Sequence, residues 1–287
     1  MLCAVGDLVE DVVVWLSGPP DEGTDVGARV FRRRGGSAAN VAALCAATGT
    51  PSRFVGQVGD DDLGDRLLGA LAANGVELCV QRGGRTGTIV VLVAPDGERT
   101  MLTDRGSATE LAPADDRWLD GADVLHLPAY SLTVGPLAAT SAALARSARA
   151  QRTLVSIDAS STALLSAFGP DRFLDLLAEL EPDVLFANEA EAALLELGDR
   201  APKGVDLLVV HRGRQPATAA THDAAVAAIP PVAVAAATDS TGAGDAFAAG
   251  FLPAYRSGAS VAAAITAGHR CAARTLASPG AGTEGLG

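Results

Sequence analysis

The chain has 287 residues, 48% of them hydrophobic, and a formal charge of −12 at pH 7; this is enough apolar material for a sizeable core and an excess of negative charge that repels nucleic-acid phosphates. Its longest apolar runs, Val205 to Val210 and Ala224 to Ile229, fall far short of the roughly 20 residues needed to cross a bilayer, and no basic segment precedes an apolar one at the amino terminus, so neither a membrane nor export is expected. Cys3, Cys45, Cys79 and Cys271 lie far apart with no CxxC pair, which encodes no local zinc knuckle or redox pair and suits a reducing cytoplasm.

In chain order, Leu2–Val5 reads as a first strand, and Asp11–Phe31 then runs on without a crossover helix. Ala38–Ala47, closing near Gly49, reads as a helix, Arg53–Val58 as a strand, and Leu63–Ala73, stopped by Asn74-Gly75, as a second helix. Gly87–Thr103 is another segment without a helix: Thr88–Val93 and Arg99–Thr103 flank the turn Pro95-Asp96-Gly97. Beyond it come strands at Val124–Leu127, Thr153–Ile157, Val184–Ala187 and Leu207–Val210, with helices at Pro136–Ala150, Ala243–Tyr255 and Val261–Thr275. Short β-branched runs alternating with alanine-rich helices predict an α/β fold, a mainly parallel central sheet flanked by helices, in one domain over 1–287. The two exceptions, about 11–34 and 87–104, predict a small β sheet projecting as a lid over a ligand, with an ordinary surface hairpin as the plainer alternative.

The most informative stretch is Thr238-Asp239-Ser240-Thr241-Gly242-Ala243-Gly244-Asp245-Ala246-Phe247. Glycines followed at once by a helical run leave free backbone N–H groups at a helix start, where the dipole and the orphan donors together hold an anion. Asp245 in the first turn sits beside that site, although such a carboxylate also serves simply to cap a helix. There is no Gly-Lys-Ser/Thr of a P-loop and no GxGxxG after the first strand, which argues against a dinucleotide enzyme.

The segment Asp239 to Phe247 resembles the DTxGAGDxF signature of the ribokinase-like (PfkB) carbohydrate kinases, with Ser240-Thr241 as a local departure. Gly35-Gly36-Ser37-Ala38-Ala39-Asn40 is similar to that family's amino-terminal GGxxxN, Val58-Gly59-Asp60-Asp61 with Gly64 to its VGxDxxG, and Asn188-Glu189-Ala190-Glu191 to its NxxE. The resemblance spans nearly the whole chain. It implies ATP-dependent phosphorylation of a hydroxymethyl group on a small sugar or sugar acid, with Asp245 as general base and Gly242, Ala243 and Gly244 as the anion hole. It also assigns Asn188 and Glu191 to Mg2+, held through water, and to the triphosphate; by their spacing alone the two are a helix cap and its capping-box partner, and both roles can coexist.

For the substrate, the resemblance points to Asp11, Gly36 and Asn40, with Asp7 as a weaker candidate, and to Arg105, which is similar to an arginine that meets the carboxylate of sugar acids in some members. Arg105 has an alternative role as a brace for the hairpin. Ser37 stands where ribokinases carry a lysine. On the nucleotide side, His211-Arg212-Gly213-Arg214 keeps only the first glycine of the usual LGxxG; Arg212, or Arg214, and Gly213 are assigned to phosphate or ATP, and His269 to the adenine edge or to helix packing. Asp239 aligns with a position that helps hold a monovalent cation such as K+. A homodimer through the lid is a further expectation. Two other functions remain open: a nucleoside kinase, which needs an apolar shelf for a base that 4% aromatic residues makes harder to build, and a non-catalytic sugar- or nucleotide-binding regulator, against which the intact Gly-Ala-Gly-Asp argues.

Overall fold

A computed structural model describes residues 1–20, 22–232 and 242–277. Along the chain the strands are β1 (Leu2–Val5), β2 (Val9–Leu16) and β3 (Ala28–Gly35), followed by α1 (Ser37–Ala47), β4 (Ser52–Val58), α2 (Asp62–Ala73), β5 (Glu77–Arg82), β6 (Thr86–Val93) and β7 (Arg99–Gly106). The second half runs β8 (Val124–Pro128), α3 (Tyr130–Thr133), α4 (Gly135–Ala150), β9 (Leu154–Asp158), α5 (Thr162–Phe168), α6 (Pro170–Leu180), β10 (Val184–Asn188) and α7 (Glu189–Leu194). It closes with β11 (Leu207–Arg212), β12 (Gln215–Ala220), β13 (Ala225–Ile229), α8 (Ala243–Arg256) and α9 (Val261–Ala277).

The main sheet has nine strands in the order β13-β12-β11-β10-β9-β8-β1-β4-β5. From β5 to β11 every pairing is parallel, and β12 and β13 extend it antiparallel. Strands buried on both faces send alternate side chains into two cores. Leu2 and Ala4 of β1 and Val184 and Phe186 of β10 pack on the side of α1, α8 and α9, whereas Cys3, Val5, Leu185 and Ala187 pack on the side of α4 and α6. Phe186 meets Phe247 and Phe251 of α8 edge-on at 6.0 and 5.2 Å between ring centroids, a geometry aromatic quadrupoles favour. No helix among the described residues is long and apolar enough to cross a membrane.

The strand order reverses at β1, whose neighbours β4 and β8 continue the chain in opposite directions. In open α/β sheets such a switch point opens a crevice beyond the carboxyl ends of the strands. The ends of β1, β9, β10 and β11 all deliver residues to one cavity there.

A second sheet of four strands, β3-β2-β6-β7, leaves the main sheet from the end of β1. Its strands extend the segments expected at 11–34 and 87–104 by a few residues, and the hairpin around Pro95-Asp96-Gly97 is the antiparallel pair β6–β7. One face, with Asp11, Ile89, Val91, Met101, Thr103 and Arg105, looks into the cavity. By the two-residue alternation of strands, Val12, Val14, Val90, Leu92, Val30 and Leu102 lie on the other face. Both faces are therefore apolar, which explains why these strands read as continuous β-branched runs.

The small sheet is rooted at two points. The Asp61 carboxylate, at the N-cap of α2, accepts from Gly64 N (2.8 Å), Thr86 N (2.8 Å) and Thr86 Oγ1 (2.6 Å). Glu10, only 3% exposed, accepts from Arg32 at 2.6 Å and from Arg66 of α2 at 2.5 Å. The Val58-Gly59-Asp60-Asp61 segment thus joins the main domain to the first residue of β6.

Candidate active site

The cavity, about 1400 Å3, lies between the inner face of the small sheet and the carboxyl ends of the main strands. At its floor two helix amino termini converge. Gly242, in the left-handed conformation at φ 75°, precedes α8, so Ala243, Gly244 and Asp245 form its first turn. Gly36, at φ 99°, precedes α1, and a Cβ there would stand 2.2 Å from the Asp7 carbonyl oxygen, so the turn from β3 into α1 admits no side chain.

Asp245 is half-buried, and both carboxylate oxygens are met by α1: Ser37 Oγ donates to Oδ1 at 2.6 Å and Asn40 Nδ2 to Oδ2 at 2.9 Å. Loss of water pushes its carboxyl up to about 7; the two hydrogen bonds pull it down, and the charges of Asp158 and Asp7 add to the rise. Each oxygen retains acceptor capacity for one more proton donor.

Beside it, Asp7 follows β1, 3% exposed. One of its oxygens accepts the Ser37 N–H at 3.1 Å, satisfying an orphan donor at the start of α1, and the other accepts from Arg105 Nη1. Arg105, from the end of β7, also stacks on the Tyr130 ring, 4.0 Å from its centroid. Asp11 faces the same space from β2, pushed up to about 7 by burial, then by the charges of Asp7 and Asp245, against the pull of Arg105 and Arg34.

Farther along the floor, Asn188 caps α7: its Oδ1 accepts the Glu191 N–H at 2.9 Å, while its own N–H and Nδ2 donate to Glu191 Oε2 and Oε1 at 2.8 and 2.7 Å. The capping box is therefore complete, and the residues still line the cavity, so the local role and a ligand role are compatible. Burial raises both Asp158 and Glu191, and the Glu191 charge raises Asp158 further. Among the described residues no group of three or more His, Cys, Asp or Glu side chains forms a metal cage. Two mutually repelling acids that open on a ligand cavity instead fit a divalent cation held mainly by phosphate oxygens and water.

The far end of the cavity is lined by His211 of β11, by Gly213 and Arg214 of the β11–β12 turn and by His269 and Leu276 of α9. His269 Nε2 lies 3.2 Å from the Ile229 carbonyl oxygen and its ring meets Phe247 edge-on, so packing and a cavity position coexist.

The structure thus gathers Asp245, Gly242, Ala243, Gly244, Asp11, Gly36, Arg105, Asn188, Glu191, Gly213 and His269 around one space. Asn40 stands behind Asp245 rather than on the cavity wall. Arg212 turns away, donating to Thr218 Oγ1 at 2.9 Å across the β11–β12 ladder, and its neighbour Arg214 reaches the cavity instead. Asp239 lies outside the described residues. Sequence reasoning missed Ser37, Tyr130, Asp158 and His211; the first had a signal, a hydroxyl residue opening a helix straight after two glycines, and Asp158 had another, an acid at the carboxyl end of an expected parallel strand.

A family model described as pfkB family carbohydrate kinase matches residues 1–286. An ATP-dependent ribose-1-phosphate kinase from Halopiger xanaduensis is 31% identical over 97% of this chain and 92% of its own length. A fructokinase from Klebsiella pneumoniae is 31% identical over 86% of this chain and 82% of its own. Among solved structures, adenosine kinase from Sinorhizobium meliloti superimposes with a TM-score of 0.85 at 23% identity, covering 98% of this chain and 94% of that one, a likeness of fold.

The acids of the cavity make a pH signature. Asp11 is raised from 3.8 to about 7 in the folded protein, so between those values the native state holds a proton the unfolded chain releases. Its contribution to stability is present at low pH and is lost as the pH rises through about 7. Asp11→Asn, which does not titrate, is therefore expected to gain progressively on the wild type between about pH 4 and pH 8, by up to roughly 4 kcal/mol, measured by urea unfolding. A constant difference across that range would contradict the raised carboxyl.

Proposed function

Since the chain belongs to the pfkB family of carbohydrate kinases, ATP-using phosphotransferases, we propose that it moves a phosphoryl group from ATP to a hydroxymethyl group of a small sugar-like molecule, with Asp245 as general base. The observation that carries this reading is the Asp245 carboxyl itself: at the mouth of a helix start, clasped by Ser37 and Asn40, and brought by burial to about 7. A base whose proton affinity lies near the operating pH combines the correct charge state with useful proton affinity.

The acceptor hydroxyl donates to Asp245 and loses its proton there as its oxygen attacks the terminal phosphorus of ATP, while the bond from that phosphorus to the bridging oxygen breaks and ADP leaves with the electron pair. Charge developing on the phosphoryl oxygens meets the backbone N–H groups of Gly242, Ala243 and Gly244 and the positive end of the α8 dipole. Asp7, Asp11, Gly36 and Arg105 hold the acceptor, while Gly213, Arg214 and His269 line the end that takes the nucleotide. Asn188, Glu191 and Asp158 are the residues that would hold Mg2+, which supplies neutralisation of phosphate charge when bound. The small sheet acts as a lid that excludes water.

Arg105 already has its charge met by Asp7, which favours a neutral polyol at that wall over a sugar acid. A second reading, a nucleoside kinase, is favoured by the apolar lining of Ile89, Val91 and Met101 on the lid and Leu164 on α5, which supplies what a base needs despite few aromatic residues. The names of the relatives span phosphosugar, free sugar and nucleoside. ATP consumption over those three classes separates the readings. The exposed outer face of the small sheet, with Val30 58% and Leu102 55% exposed, supports a homodimer through that face.

Asp245→Asn is expected to bind ATP normally and to lose about 10²- to 10⁴-fold in turnover, while wild-type kcat climbs with pH through about 7. Near-normal turnover in the variant would remove Asp245 from the role of base. Glu191→Gln is expected to need more Mg2+ for half-maximal rate, and superimposable Mg2+ curves for the two proteins would take Glu191 out of the metal's reach. Sedimentation should show a wild-type dimer that Leu102→Lys converts to monomer; a monomeric wild type would refute the lid interface.

A further inference from the structure

Arg32, Arg33 and Arg34 are consecutive on β3, yet their surroundings differ. Arg32 pairs with Glu10, and the Arg33 guanidinium lies 6.0 Å from the Phe31 ring centroid. Arg34 points towards α1, where its Nη1 donates to Asn40 Oδ1 at 2.9 Å. The strand descends close against Asp11, since a Cβ on Gly35 would stand 2.2 Å from Asp11 Oδ1, and the turn through Gly36 then brings the first turn of α1 back beside Arg34.

The Asn40 carboxamide is held at both ends, accepting from Arg34 and donating to Asp245 Oδ2. Turned over, it would set its oxygen against the Asp245 carboxylate and its NH2 against a guanidinium, two repulsive contacts in place of two hydrogen bonds. The arginine therefore selects the one orientation in which Asn40 serves the carboxylate.

We propose that Arg34 is a positioning residue for phosphoryl transfer, which locks the Asn40 amide so that Asp245 is held by a donor on each oxygen. The inference rests on Asp245 being the base. Arg34 does not line the cavity and acts only through its neighbours. Because it rides on an edge strand of the small sheet, the seating of that sheet is tied to the readiness of Asp245.

The charged surroundings of Asp245 favour a pH readout. Asp7 from the end of β1, Asp11 from β2 and Asp158 from β9 oppose its ionisation; His211, beside Gly244, is pulled down to about 4 by burial and is neutral at pH 7. Among the described residues Arg105 is engaged with Asp7, and Arg34 is linked to Asp245 through Asn40 and by charge.

The experiment is kcat against pH for the wild type, Arg34→Gln, Arg34→Lys and Asp245→Asn, with ATP binding and thermal unfolding followed in parallel. Arg34→Gln is expected to lose about fivefold in kcat at pH 7, approaching about tenfold at lower pH, because the rising limb moves up by about one unit, with recovery at alkaline pH and ATP affinity unchanged. Arg34→Lys, which keeps the charge and a donor, is expected to recover most of the loss even if the glutamine variant folds poorly. An unmoved limb in both Arg34 variants, or an equal loss at every pH, overturns the proposal. If Asp245→Asn keeps near-wild-type turnover, the base assignment fails first, and the Arg34 data then do not enter.

Discussion

Everything in the site depends on the meeting of two helix starts that lie far apart in the chain. Ser37 and Asn40 open α1, Asp245 opens α8, and the bond between Ser37 and Asp245 joins residues 208 positions apart. Bringing them together requires β1 at the point where the strand order reverses, α1 and α8 side by side on one face, and a turn from β3 into α1 that only glycine can make. Once the helix starts meet, their orphan N–H groups and dipoles favour negative charge at one place, while burial makes a bare carboxylate there costly. The compromise is a carboxyl whose proton affinity sits near neutrality.

The small sheet follows from the same constraint. Its two edge strands each send an arginine to the helix starts: Arg105 from β7 through Asp7 to the backbone of Ser37, and Arg34 from β3 to Asn40. Its root is fixed by Asp61 on Thr86 and by Glu10 between Arg32 and Arg66. The sheet is thus both wall and brace, with Ile89, Val91 and Met101 as the apolar part of the cavity wall.

Much of this was legible in the sequence because it is local. The alternation of β-branched and alanine-rich runs gave the wound sheet, the glycines before Asp245 gave a helix start that opens on the cavity, and Asn188 with Glu191 gave both a cap and a cavity residue. What escaped was set by tertiary neighbours. Nothing in the order of residues says that Asn40 would face Asp245 and Arg34 instead of the cavity, or that Arg212 would turn to Thr218 while Arg214 turned inward. The antiparallel strands β12 and β13 were missed because Gln215–Ala220 and Ala225–Ile229 are rich in alanine, which has low strand propensity, and are held by their neighbours in the sheet.

Burial, set against the pull of Ser37 and Asn40, poises the Asp245 carboxyl near neutral pH. The most direct test is the titration of the Asp245 side-chain carboxyl by carbon NMR in the folded, unliganded protein, assigned by comparison with Asp245→Asn. The expected midpoint is about 7; a midpoint at or below the 3.8 of an ordinary aspartate would mean that burial does not govern this carboxyl.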